Sequence, residues 1–273
     1  MLDYAKTNSF DSVSFLGITV HPTTIHDLID LVRDTITHGK QCVIANHNLH
    51  SLYLYHRTPK LRGFFNTAAW THIDGMAMVL LGRIYGHNIR RDQRVTYVDW
   101  TRPLMESAVS SGWRVFYLGS KPGVAQLGAS KLRQKYPSLR IRSTHGYFEF
   151  EDHGYEDNSI IEAINAYKPH ILMVGMGMPR QELWIQEHLS QISANVILPV
   201  GAAIDYVAGA VRVPPRWLGR LCLEWAFRLA SEPTRLWRRY LLEPFFVLKL
   251  MSENLRGQLW KTGTLDNSVE VKE

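Results

Sequence analysis

The amino-acid sequence predicts an α/β protein: a Rossmann-like parallel sheet flanked by helices, with a basic helical appendage at its C-terminal end. Three observations carry this reading. Short apolar runs alternate with stretches of helical spacing as far as Val200, the pattern of parallel βαβ units. Several runs end in polar or glycine-rich corners, as at Asp74-Gly75 and at Gly175-Met-Gly177. From Val211 the strand signals stop, and beyond Pro214-Pro215 arginine is interleaved with tryptophan and phenylalanine.

In chain order, an N-terminal extension over residues 1–20 ends in a strand, Ser14–Val20. Ile25–His38 has helical spacing and Gln41–Ala45 is a short apolar strand. Leu49–Phe65 is helical, with Pro59 marking a break. The strand Ala68–Ile73 runs through Asp74-Gly75 into an apolar helix, Met76–Tyr85. Tyr97–Ser111 is helical although it contains Pro103, and Trp113–Leu118 is a strand. The turn Gly119-Ser-Lys-Pro-Gly123 leads to a helix, Val124–Tyr136, and Arg140–Ser143 is a strand. Gly146–Asn158 reads as an acidic, aromatic loop whose Glu151-Asp152 and Glu156-Asp157 are solvated charge. The helix Ser159–Tyr167 and the strand Ile171–Val174 follow. Pro179 suits a first helical position, where its missing N–H is not needed, and this puts Gln181 and Glu182 in the first turn of a helix to Ser190. The strand Val196–Val200 ends at Gly201.

At 273 residues, 45% hydrophobic and 21% charged, the chain has room for one large domain with a smaller appendage. Cys42 and Cys222 lie far apart and suggest neither a disulfide framework nor a zinc site. The first residues lack an apolar signal region, and no run approaches the ~18 apolar residues that span a bilayer. A cytoplasmic protein, soluble or membrane-associated, is expected. Most of the net charge of +6 sits at one end, where residues 212–256 hold nine Lys or Arg against four Glu. Basic residues at this density among aromatics suit an anionic membrane surface, where each contributes roughly 1 kcal/mol. They also suit nucleic acid, or a basic helical face packed on the core. The expected division is a catalytic domain over 1–211, a membrane-docking appendage over 212–260 and a frayed polar tail over 261–273.

In an open parallel sheet the C-terminal ends of the strands share one edge, so Asn48, Asp74, Lys121, Gln181 and Asp205 are candidates for one crevice. The corners at Gly119, Gly175, Gly177 and Gly201 are of the kind that meets phosphate. Asp74, between an apolar strand and an apolar helix, is either a helix N-cap or a working carboxylate. His47, His50 and His72 are alternative bases. No histidine pair has metal-binding spacing and no Asp-x-Asp pair ends a strand, so a resident metal is not expected. The residues alone give an α/β enzyme for a phosphate-bearing ligand, with a dinucleotide-binding oxidoreductase and a nucleic-acid-binding protein as the alternatives.

Further motifs carry a resemblance. Asn48, Asp74-Gly75, Arg94-Val-Thr96, Asp99, Leu118-Gly-Ser-Lys-Pro-Gly-Val124, His145-Gly-Tyr-Phe148, Val174-Gly-Met-Gly-Met-Pro-Arg-Gln-Glu182, Gly201-Ala-Ala-Ile-Asp205, Leu223-Glu-Trp225, Glu232-Pro233 and Arg235-Leu-Trp-Arg-Arg-Tyr240 stand in the order and spacing of one family. Over about residues 14–245 the chain resembles the WecG/TagA/CpsF bacterial glycosyltransferases. The resemblance implies an inverting, metal-independent transfer, without cofactor, from a UDP-sugar to a polyprenyl-diphosphate-linked sugar at the inner face of the bacterial plasma membrane. It implies Asp74 as general base, Gln181 on the donor sugar, Asp205 on uracil, and Gly119 and Lys121 beside the nucleotide. Arg94, Arg212 and the tail arginines would meet the charge of the leaving group. Arg216, Arg228, Arg235, Arg238 and Arg239 would dock on lipid or on the acceptor diphosphate, the last three from one face of a helix starting near Pro233. Asn46, Tyr97 and His50 depart from the family pattern, where Thr, Gly and an acidic residue are common. The donor sugar is therefore left open among N-acetylmannosamine, its uronic acid and a hexose such as glucose, and a homo-oligomer is also left open.

Overall fold

The computed structural model describes residues 11–149, 155–220 and 223–266. The extension before Asp11, Glu151-Asp152, Cys222, the side chain of Arg216 and the tail from Asn267 lie outside the described residues.

The chain opens with a hairpin, β1 (Val13–Phe15) and β2 (Ile18–Val20), followed by α1 (Ile25–Thr37), β3 (Cys42–His47), α2 (Leu49–Arg57) and α3 (Pro59–Thr67). Next come β4 (Trp70–Ile73), α4 (Met76–Ile84), α5 (Tyr97–Ser110), β5 (Arg114–Gly119), α6 (Val124–Lys135) and β6 (Arg140–Thr144). The domain ends with α7 (Tyr155–Tyr167), β7 (Ile171–Gly175), α8 (Arg180–His188), β8 (Val196–Pro199) and α9 (Ala203–Ala208). Four helices make the appendage: α10 (Arg216–Arg220), α11 (Glu224–Ser231), α12 (Pro233–Trp237) and, after a π-helical turn at Arg238–Leu242, α13 (Glu243–Asp266).

The six strands β3 to β8 form one parallel sheet in the order β4-β3-β8-β7-β5-β6. Helices cover both faces, which is why these strands read as apolar runs rather than as alternating ones. On one face Leu28, Trp100, Leu104 and Ile204 of α1, α5 and α9 meet Ile44, Val115, Met173 and Leu198. On the other, Phe64, Ile160 and Trp184 of α3, α7 and α8 meet Val43, Phe116, Leu172 and Ile197. A third cluster joins the hairpin, α2, α4 and α13 through Phe15, Leu52, Met78 and Val247.

The structure corrects several expectations. Ser14–Val20 is not one strand: Leu16 and Gly17 take φ of 51° and 77°, the left-handed pair that closes a tight hairpin and separates it from the main sheet. Helix α7 starts at Tyr155, inside the expected loop, and the short α9 was not anticipated. Asp157 is fully buried rather than solvated: it accepts from the Trp184 indole at 2.8 Å and lies 3.0 Å from His188 Nε2. Pro179 is the residue before α8 rather than its first helical residue. Helix α13 runs to Asp266, past the point where fraying was expected.

Candidate active site

Three corners at the C-terminal edge of the sheet stack backbone against backbone. A Cβ on Gly119 would fall 2.4 Å from the Gly175 carbonyl oxygen, and one on Gly175 would fall 2.6 Å from that of Gly201. The Ser120 N–H donates to the Gly175 carbonyl at 3.1 Å. Glycine at 119 and 175 therefore has a packing reason of its own. Gly177 and Gly201 take φ of 81° and 54° and leave open space beside their Cα atoms. Gln181, 1% exposed, joins two of the corners: its amide oxygen accepts the N–H of Gly177 at 3.1 Å and of Gly201 at 3.0 Å. Gln181 was expected on the donor sugar; its amide oxygen is instead committed to backbone. Lys121 is exposed in the turn before α6.

Asp74 follows β4, beside the end of β3. Its N–H donates to the His47 carbonyl at 2.8 Å. The N-cap alternative fails, because α4 is preceded by Gly75 and has no side-chain cap. The Asp74 carboxylate instead accepts from Asn46 Nδ2 at 3.2 Å and Asn48 Nδ2 at 3.3 Å, both on Oδ2. Asn48 also caps α2, accepting the Ser51 N–H at 3.0 Å. Burial pushes the Asp74 carboxyl above its ordinary range, while the Asn48 amide and the Arg228, Arg239 and Arg94 guanidiniums pull it back. The result is a carboxylate of raised basicity facing cations.

Two of those cations, Arg228 and Arg239, come from the appendage. Arg239 Nη2 lies 3.5 Å from Asn48 Oδ1, and burial draws its guanidinium below the usual value. For Arg228, burial disfavours the cation, but Tyr206, Tyr240, Asp74 and Glu232 outweigh it and its pKa is raised. Arg228 Nε has no hydrogen-bond partner among the described residues. Arg235 and Arg238 do not share Arg239's face. Both are exposed, Arg235 on Glu232 at 2.7 Å and Arg238 over the Trp237 ring at 5.3 Å.

Arg94 is bridged between Asp99 at 3.2 Å and Glu224 at 3.0 Å, so it ties α5 to α11. Asp205 lies in α9 near Ser120; burial raises its carboxyl, while the Ser120 hydroxyl and Arg235 oppose the rise. Arg212 is exposed on the coil after α9. The three histidine alternatives are occupied elsewhere. His47 stacks on Phe65 at 3.9 Å, and burial lowers it to about 3. His72 lies against Tyr97 and Trp100, and burial lowers it to about 4. His50 meets Glu243 of α13 at 2.8 Å.

Sequence reasoning passed over Asn46, Tyr97 and Glu182 as site residues. Tyr97 and Glu182 are buried, with Tyr97 Oη and Glu182 Oε2 unpartnered among the described residues. For Glu182 the available signal was its place directly before the apolar Leu183-Trp-Ile185.

Among the described residues no group of three or more His, Cys, Asp or Glu is arranged to hold a metal ion. No described helix is long and apolar enough to cross a membrane. Residues 13–259 match the model of the Glycosyl transferase WecG/TagA/CpsF family. Two Staphylococcus aureus proteins, from strains MW2 and NCTC 8325 / PS 47, are each 24% identical over 250 residues, covering 87% of this chain and 91% of theirs. Both are named N-acetylglucosaminyldiphosphoundecaprenol N-acetyl-beta-D-mannosaminyltransferase.

Proposed function

The chain belongs to the WecG/TagA/CpsF family of glycosyl transferases, and from that membership we propose that it moves a sugar from a UDP-sugar to a sugar carried on undecaprenyl diphosphate, with inversion at the anomeric carbon, in cell-surface polysaccharide assembly. The observation that carries the proposal is the double amide grip on one oxygen of Asp74, with Arg228 and Arg239 facing the same carboxylate. Asn46 and Asn48 occupy Oδ2 and leave Oδ1 to work. The acceptor hydroxyl gives its proton to Oδ1 as its oxygen attacks the anomeric carbon from the face opposite the nucleotide. The C1–O bond breaks, and UDP leaves with the electron pair. A positioned base contributes ~10²–10⁴ in rate, more when its pKa is raised toward the working pH.

The arginines supply the opposite charge. Arg228 and Arg239 stand beside the base, where the acceptor diphosphate approaches; Arg235 stands near Asp205, on the nucleotide side. The stacked corners at Gly119, Gly175 and Gly201 receive UDP, with Lys121 exposed in the turn that follows Gly119. In this reading Arg94 holds the appendage to the domain rather than touching phosphate. The relatives' names favour N-acetylmannosamine as donor sugar and a diphosphoundecaprenol-linked N-acetylglucosamine as acceptor. The membrane supplies that acceptor. The exposed apolar residues Trp217, Trp225, Trp237, Phe245 and Leu248, with Arg238 over the Trp237 ring, give the appendage a surface for anionic lipid.

The test is UDP release from a panel of UDP-sugars, with and without an undecaprenyl-diphosphate-sugar acceptor on anionic vesicles, in EDTA. Acceptor-dependent release from one donor, faster on vesicles, is expected. Release that ignores the acceptor, or none from any donor with the acceptor on vesicles, contradicts the proposal.

A further inference from the structure

Gln181 and Glu182 stand side by side in the first turn of α8, each 1% exposed. The two N–H groups that Gln181 accepts belong to the corners after two different strands. Gly177 is in the corner after β7, and Gly201 is in the corner after β8. One amide oxygen therefore fixes the spacing of two corners. An amide has two ends, and only the oxygen end can accept. Glu182 selects that end: its Oε1 accepts from Gln181 Nε2 at 2.7 Å. A flipped amide would set its NH₂ against two N–H donors and its oxygen against a carboxyl.

The arrangement is costly for Glu182. Its Oε2 has no hydrogen-bond partner among the described residues, and burial pushes the carboxyl up to about 7 against the pull of Gln181 and Arg239. A carboxyl held in such a place calls for a reason beyond filling volume. We propose that Glu182 is a positioning residue of the donor site, which acts through Gln181 to lock the β7 and β8 corners into the one backbone frame that receives the nucleoside diphosphate. The donor half of this statement rests on the transferase reading; the lock itself does not.

Glu182→Met and Gln181→Met keep close to the native volume and remove one member each, while Glu182→Gln keeps an accepting oxygen. Backbone hydrogen exchange is followed in the ligand-free protein, and UDP affinity is measured beside it. In both methionine variants the Gly177 and Gly201 amides exchange faster together, by about tenfold, the scale of one hydrogen bond's net worth. The Ser120 amide, bonded to the Gly175 carbonyl, keeps its protection. The Kd for UDP rises with exchange, Glu182→Gln restores both readouts, and the double methionine variant is no worse than Gln181→Met. Wild-type protection of both amides in Glu182→Met, release of Gly177 alone, or additive losses in the double variant would overturn the lock. Should Glu182→Met not fold, the exchanged pair Gln181→Glu with Glu182→Gln decides: it still offers an oxygen to both N–H groups, so protection is retained, and loss at either amide overturns the lock. A wild-type chain that does not bind UDP defeats the donor reading, while exchange still judges the lock.

Discussion

Asp74 announces itself in the sequence as a carboxylate caught between two apolar elements, but its grip does not. Asn46 and Asn48, 28 and 26 positions earlier, reach it only because β3 and β4 pair in parallel and end together. Gln181 illustrates the opposite limit. Its place in the first helical turn was legible, but nothing in a linear string says whether an amide points at a ligand or into backbone. Asp157 was misread because acidic neighbours suggested solvent, whereas the Trp184 indole donates to it and the His188 ring lies beside it on α8. Glu182 gives a prediction at this scale. Folding holds its carboxyl at about 7, above the ordinary 4.5, so the fold favours the neutral form. The stability this provides is complete below pH 4.5 and is lost as pH rises through 7, roughly 3 kcal/mol in all. Urea midpoints at pH 5 and pH 8 check this: the wild type loses stability relative to Glu182→Gln across that interval. Parallel pH dependence of the two proteins would contradict it.

At the scale of elements, the long βα units were readable because each carries enough periodicity to declare itself. The elements that escaped are short. The β1–β2 hairpin turns on Leu16 and Gly17, a pair in which only the glycine signals a left-handed backbone. Helix α9 spans two turns at most, and the π-helical turn before α13 has no compositional mark. In that turn Arg239 is partly buried and reaches Asn48, while Arg238 beside it is exposed. The stacked corners offer a direct check. In Gly119→Ala the new methyl meets backbone that cannot swing aside, so unfolding in denaturant shows a loss of about 2–3 kcal/mol. Gly63→Ala on α3 meets only the end of the Gln186 side chain, and it stays within about 1 kcal/mol of wild type because the helix gains propensity. Equal effects from the two substitutions would remove the packing argument for Gly119.

For the molecule as a whole, the sequence supports a parallel sheet flanked by helices, and the structure has it. Strand order was not readable. β8 and β7 insert between β3 and β5, and this insertion stacks the Gly201, Gly175 and Gly119 corners in one row along the edge that also carries Asp74. The basic end was visible as composition, but its attachment was not. Helix α13 seats Val247 in the hairpin cluster and Glu243 on His50, and Arg228 and Arg239, from the helices around it, act on the Asp74 carboxyl at the sheet edge. The measurement that tests the account most directly is single-turnover transfer by Asp74→Asn, with UDP affinity measured beside it. The account predicts a rate lower by about 10²–10⁴, with the Kd for UDP within about threefold of wild type. A variant that keeps most of its turnover would contradict it.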